Sequence, residues 1–164
     1  MLVSALLSLN EEERKCNLVF VGDGPMRESL EKQVEQLGLK NNVWFYGACF
    51  DEKTNAELIY NADLCVAPGN VGLTAIHSMM FGTPVLSHDN FMYQMPEFEA
   101  IKSGKTGEFF KYCDEDSLCT TISKWFAAHL MERETVRNYC FKEIDDSWNP
   151  YFQINIFRKN LKLL

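Results

Sequence analysis

Residues 66–90 read VAPGNVGLTAIHSMMFGTPVLSHDN, and they decide the fold because they hold one whole strand–turn–helix–turn–strand unit. VAP closes a short apolar run. Gly69 and Gly72 then supply a turn, and 72–81 carries a helical pattern with Leu73, Ile76 and Met80 on one side. Gly82 ends that helix, and Pro84 opens a second apolar run, PVLSHD (84–89). Neither run alternates clearly between apolar and polar residues. That is the pattern of strands covered on both faces, as in a parallel sheet.

The start of this helix predicts a binding site. The N–H groups of Gly72, Leu73 and Thr74 should lack helical partners, and the helix dipole adds positive character there. Together they make a ready site for an anion, to which the Thr74 hydroxyl adds a donor. His77 lies one turn after Leu73 on a largely apolar face. Two readings stand for it: a core histidine with satisfied hydrogen bonds, or a ligand contact from the first turns of the helix. A metal-ligand role has little support, since no cluster surrounds it.

Outward from this unit the same alternation continues. Apolar runs occur at NLVFVG (17–22), NVWFYG (42–47) and DLCVAP (63–68), with a last strand predicted at GEFF (107–110). Helices are predicted over 26–37 (Met26, Leu30, Val34 and Leu37 on one face) and 53–61, and then from Asp114 through Leu118, Ile122, Trp125 and Phe126. Two more are predicted near 131–145 and 150–163, and an amphipathic one at the N-terminus. Alternating strands and helices imply a doubly wound, Rossmann-like parallel sheet with helices on both faces, in a single domain spanning 1–164. Ligands of such sheets sit at the carboxyl ends of the strands.

Two further turns fall at those ends. VGDGPMRESLEKQ (21–33) places Gly22, Asp23 and Gly24 between a strand and a helix. It is not a dinucleotide fingerprint, because Arg27 stands where the third glycine belongs, and no Gly-Lys-Ser/Thr follows to make a P-loop. A structural turn and a ligand-side turn both remain open. WFYGACFDE (44–52) runs from strand to loop, and free backbone groups there suit the edge of a base; a plain exit loop is the alternative. Glu97 and Glu99 are two residues apart and so point apart on a helix, which makes a glycosidase pair unlikely from these two.

The totals narrow the class. The chain has 164 residues, 46% of them hydrophobic, and a net charge of -7. An acidic chain does not suit nucleic acid, whose binding needs a basic face. The six cysteines show no C-x-x-C pair and no metal spacing with the three histidines, so they read as buried free thiols of a reducing, cytoplasmic compartment. No stretch reaches the roughly 18 apolar residues of a spanning helix, and the N-terminus lacks the basic start of a signal peptide.

Taken in order, LVFVGDGPMRESLE, NNVWFYGACF, ELIYNADLCVAPG, SMMFGTPVLSHD, MPE and GKTGEFF resemble the C-terminal, nucleotide-sugar-binding domain of GT-B fold retaining glycosyltransferases of family 4, the glycosyl transferases group 1 type. The resemblance covers about residues 2–128. It implies a two-domain enzyme whose C-terminal half holds a UDP-, GDP- or ADP-sugar while an N-terminal domain holds the acceptor, with no cofactor and no required metal. It further implies the base against Tyr46, Gly47, Ala48 and Cys49, the diphosphate at Gly72, Leu73 and Thr74, and the ribose at the position of His77.

The sequence also departs from the family. Its mark is two glutamates separated by seven residues; the second falls on His77, and the first falls on Gly69 or is missing. Asn70 is a candidate to take over a sugar contact. The strand ending in Gly-Arg and the lysine that open the family domain are absent, as is the acceptor domain, so the chain is expected to be a fragment lacking a central strand. An open strand edge favours self-association. Residues 147–164 are expected to form the closing helix, with Ile154, Phe157 and Leu161 on one face and Arg158, Lys159 and Lys162 available for peripheral membrane contact. No residue reads as a catalytic base or nucleophile. The sequence thus points to the donor-binding domain of a sugar transferase of polysaccharide or glycolipid assembly. A non-catalytic nucleotide-sugar module and a nucleotide-sugar epimerase of the same fold are the alternatives.

Overall fold

The computed structural model describes residues 1–11 and 15–161. The chain order is α1 (Leu2–Glu11), β1 (Leu18–Val21), α2 (Arg27–Gln36), β2 (Val43–Gly47), α3 (Glu52–Asn61), β3 (Cys65–Ala67), α4 (Leu73–Met80) and β4 (Val85–His88). Two short 3-10 turns, Phe91–Tyr93 and Pro96–Ala100, follow, and then β5 (Gly107–Phe110), α5 (Glu115–His129), α6 (Arg133–Ser147) and α7 (Pro150–Leu161). Asp51 and Asp114 start α3 and α5 by accepting the N–H of Thr54 and Ser117, both at 2.8 Å.

All strand pairs are parallel, as expected. The sheet, however, is not one continuous ladder. β1 pairs with β2, and β3–β4–β5 form a second group. No ladder joins the β1–β2 pair to the β3–β4–β5 group among the described residues. Helix α1 ties the two groups together. Its Val3 and Leu6 pack with Val34 and Leu39, while its Ala5 and Leu9 join the larger core of Val85, Leu86, Phe110, Leu118 and Trp125. Helices cover both faces of the fold: α1 packs against α2 and α5, and α4 packs against α6.

Several local expectations are corrected. Coverage on both faces holds for β4, all of whose residues are buried, but not for β1 and β2. Val19, Val21 and Trp44 are exposed, because α1 and α2 cover only the face of Leu18, Phe20 and Phe45, and α3 buries none of its residues. On α4 the buried residues are Ala75, Ser78 and Met79; Leu73 and Met80 are exposed, and Ile76 is half-buried against the core. The helix is apolar nearly all round, and its small residues make the close approach to the core. Met26 precedes α2 and is exposed. Cys113 is exposed, whereas Cys140 is buried.

The closing helix begins at Pro150 rather than 147, since Ser147 still belongs to α6 and the Asn149 side chain caps α7 by accepting the Phe152 N–H at 2.9 Å. Ile154, Phe157 and Leu161 are exposed on it. Lys162 and the end of the predicted 150–163 helix lie outside the described residues.

Candidate functional site

The loops after β1, β2, β3 and β4 all emerge at the carboxyl edge, because every strand is parallel. The turn after β3 carries the most distinctive backbone. Gly72 adopts φ +46° and ψ −145°, a conformation that disfavours any residue with a Cβ. The Val71 carbonyl accepts from the Thr74 N–H and the Gly72 carbonyl from the Ala75 N–H, both at 3.1 Å. Each carbonyl is therefore turned into α4. In a planar trans peptide the N–H points the opposite way, so the N–H groups of Gly72 and Leu73 are turned out beyond the helix start. Neither has a hydrogen-bond acceptor among the described residues. The expectation of three free N–H groups is thus corrected to two. Thr74 contributes an exposed hydroxyl but not its N–H.

His77 is not a core residue. Its side chain is 40% exposed, its Nε2 lies 3.7 Å from Glu52 Oε2 at the start of α3, and its ring meets Phe81 edge-on. It faces the same side as the open turn, since Leu73, one helical turn earlier, is also exposed. Glu52 was not singled out in the sequence, where it reads as one more acid in a helix's first turn.

The other two turns are partly committed to the fold. The Gly22 N–H donates to the Gly47 carbonyl at 2.7 Å, which occupies one of that oxygen's two lone pairs. The Cys49 carbonyl accepts from Asn55 Nδ2 at 3.3 Å. Ala48 keeps both backbone groups without a hydrogen-bond partner among the described residues, beside the half-buried Tyr46. Asp23 is engaged locally: it accepts the Gly24 N–H at 2.8 Å and lies 3.6 Å from Arg27 Nη1. No hydrogen bond or ion pair links Gly22, Asp23 or Gly24 to the 69–72 turn among the described residues. Asn70 points its Oδ1 at the Met95 N–H, 3.3 Å away, rather than standing free.

Around these loops the charges are mixed. The Asp51 carboxyl is held below its usual range by the Thr54 hydroxyl and N–H. The His88 imidazole, at the end of β4, is buried and pushed below its usual value by desolvation, against an opposing pull from Asp89. Among the described residues no group of three or more His, Cys, Asp or Glu is arranged to hold a metal ion. A small cavity of about 30 Å³ lies elsewhere, among Ala62, Trp125, His129 and Arg133.

A parallel doubly wound domain with an outward-facing helix N-terminus at its carboxyl edge is a fold for holding anionic ligands. Comparison with known proteins narrows the class: the sequence model of the family described as "Glycosyl transferases group 1" matches residues 1–140, and the chain belongs to that family. It is 34% identical over 90 residues to the alpha-monoglucosyldiacylglycerol synthase of Streptococcus pneumoniae, covering 52% of this chain and 20% of that protein. It is 33% identical over 87 residues to a GDP-mannose-dependent alpha-(1-6)-phosphatidylinositol dimannoside mannosyltransferase of Mycobacterium tuberculosis, covering 51% and 22%. The aligned part is thus about a fifth of the length of these relatives.

Solved structures share the fold at lower identity. Anabaena Alr3699/HepE in complex with UDP superposes with a TM-score of 0.75 at 20% identity, covering 99% of this chain and 44% of that one. TarM gives 0.78 at 17%, covering 98% and 31%. The C-terminal domain of LpcC, a glycosyl transferase group 1 family protein of Francisella tularensis, gives 0.73 at 16%, covering 91% and 78%. The fold is that of the C-terminal half of GT-B glycosyltransferases.

Proposed function

We propose that the chain holds the nucleoside diphosphate of a UDP-, GDP- or ADP-sugar, as the donor half of a glycosyltransferase that moves a hexose with retention in polysaccharide or glycolipid assembly. The observation that carries this reading is the pair of outward N–H groups, Gly72 and Leu73, at the start of α4. They would receive the diphosphate and stabilise it as leaving group when the glycosidic bond breaks. His77 would meet the ribose, and the loop of Tyr46, Gly47, Ala48 and Cys49 the base. HepE is described in complex with UDP, which supports a donor of this kind. The mechanism needs neither metal nor cofactor in this reading, because the donors are backbone dipoles.

The acceptor would come from a second, N-terminal domain, and a strand placed between β1 and β3 would complete the sheet. Any strand edge left unpaired between the two groups would favour self-association. The reading places the protein in the cytoplasm, with α7 available to an anionic membrane through Arg158 and Lys159. No helix among the described residues is long and apolar enough to cross a membrane.

A second reading is favoured by one feature. Where the resemblance implies paired glutamates, this chain has His77 at one position and Gly69, or no counterpart, at the other, which suits a module that binds nucleotide sugars without turning them over.

Thermal unfolding with UDP, GDP, ADP and CMP, each with and without magnesium, tests the proposal. Ligand at a hundred times its Kd adds about 2.7 kcal/mol to stability. One nucleoside diphosphate should raise the midpoint, independently of magnesium, and His77→Ala should reduce the effect. No shift with any of them would refute a donor site in this chain.

A further inference from the structure

The turn that presents Gly72 and Leu73 is held by a side chain from a different loop. Gln94 lies between the two 3-10 turns that follow β4, and its amide is engaged at both ends. Its Oε1 accepts the Val71 N–H at 2.9 Å. Its Nε2 donates to Ser87 Oγ at 2.8 Å and to the His88 carbonyl at 3.3 Å. Ser87 is fully buried and in turn donates to the Ala67 carbonyl at 3.0 Å. A second stitch runs beside it, from the Met95 N–H to Asn70 Oδ1 at 3.3 Å.

Val71 is 2% exposed, so its N–H cannot fall back on water. Gln94 is therefore the group that satisfies it and sets the tilt of the Asn70–Val71 peptide. The next peptide carries the Val71 carbonyl on one side and the Gly72 N–H on the other. Fixing the first plane fixes the direction from which the second leaves it. The bonds to Ser87 and His88 anchor this setting to the ends of β3 and β4.

We infer that Gln94 is a positioning residue for diphosphate binding: it aims the Gly72 and Leu73 N–H groups without touching the ligand itself. This rests on the donor-site reading above. Gln94 approaches the turn from 23 residues further along the chain, and its own segment carries no glycine-turn signal.

Amide NMR of the full chain, titrated with UDP, GDP and ADP, tests it. In the wild type, the Gly72 and Leu73 resonances should move on binding the preferred nucleotide. Gln94→Met keeps the length of the side chain but removes its donor and acceptor. Its Kd should rise about tenfold, the scale of one lost hydrogen bond to a charged group. At saturation the Gly72 and Leu73 shifts should shrink, while those of Ala48 and Cys49 stay. Ser87→Ala removes one of the two acceptors of Nε2, together with the bond to the Ala67 carbonyl, and leaves the Val71 bond in place, so it should move the same two amides by less.

Unchanged affinity and unchanged Gly72 and Leu73 shifts in Gln94→Met would overturn the inference and leave the donor site intact. An equal loss of shift at Gly72, Leu73, Ala48 and Cys49 would also overturn it, since a merely structural role predicts that. If Gln94→Met does not fold, Ser87→Ala decides in the same terms. A wild type that binds none of the three nucleotides overturns the donor site, and this inference with it.

Discussion

Strands β1 and β4 are each four residues long, yet their surroundings differ. Every residue of β4 is buried, with α4 and α6 in one packed group and α1 and α5 in another. β1 alternates, leaving Val19 and Val21 exposed, and its neighbour β2 exposes Trp44. The two halves are built by the same local rules but are not equally finished. The β3–β5 half has a core of its own, whereas the β1–β2 half depends on α1 to reach that core. Turn geometry needs little from distant residues, so the carboxyl-edge loops can form in both halves although only one is covered on both sides.

This contrast should show most strongly in core substitutions. Leu118→Ala, at a fully buried position of the β3–β5 half, should cost about 2–5 kcal/mol in urea unfolding. Val19→Ala, at a position 44% exposed, should cost less than about 0.5 kcal/mol. Comparable losses would mean that the exposed face of β1 is covered in solution, for example by a second copy of the chain.

A smaller effect should come from pH. His88 is held neutral by burial, and its Nδ1 accepts the Asn90 N–H at 3.2 Å, a bond that protonation destroys. Its folded pKa lies below the unfolded value of 6.5, so the unfolded chain takes up the proton first. Stability should therefore fall as pH drops below about 6.5 towards the folded pKa, and His88→Asn should flatten that part of the profile. His88 lies on β4, so this slope belongs to the β3–β5 half. An unaltered slope in the variant would assign it to other groups. The capping carboxylates Asp51 and Asp114, whose pKa values are lowered, lose their contribution only at more acid pH, below their ordinary value of 3.8.

Much of the fold could be read from the chain, because its signals are local. Glycine turns, Pro84 and the caps Asp51 and Asp114 act within a few residues, and the predicted strands and helices fall close to the observed ones. What could not be read is set by packing at a distance. Nothing in LVFV says that one face of β1 lacks a covering helix. The buried side of α4 was hidden because nearly every side of LTAIHSMM is apolar. His77 was left between core and surface for the same reason, and only the position of Glu52 and the exposure of Leu73 place it at the surface. Gln94 carried no signal at all, since its role arises from a loop folding back on the 69–72 turn. Thr74 was read as offering a free N–H, but a tight turn to the Val71 carbonyl takes it.

In the proposed site one ligand joins loops from both halves at the carboxyl edge. Hydrogen–deuterium exchange with and without the nucleoside diphosphate that binds tests it most directly. Exchange should slow together in the loop at 47–49, from the β1–β2 half, and at 70–77, from the β3–β5 half. Protection confined to one half, or spread away from these loops, would contradict it.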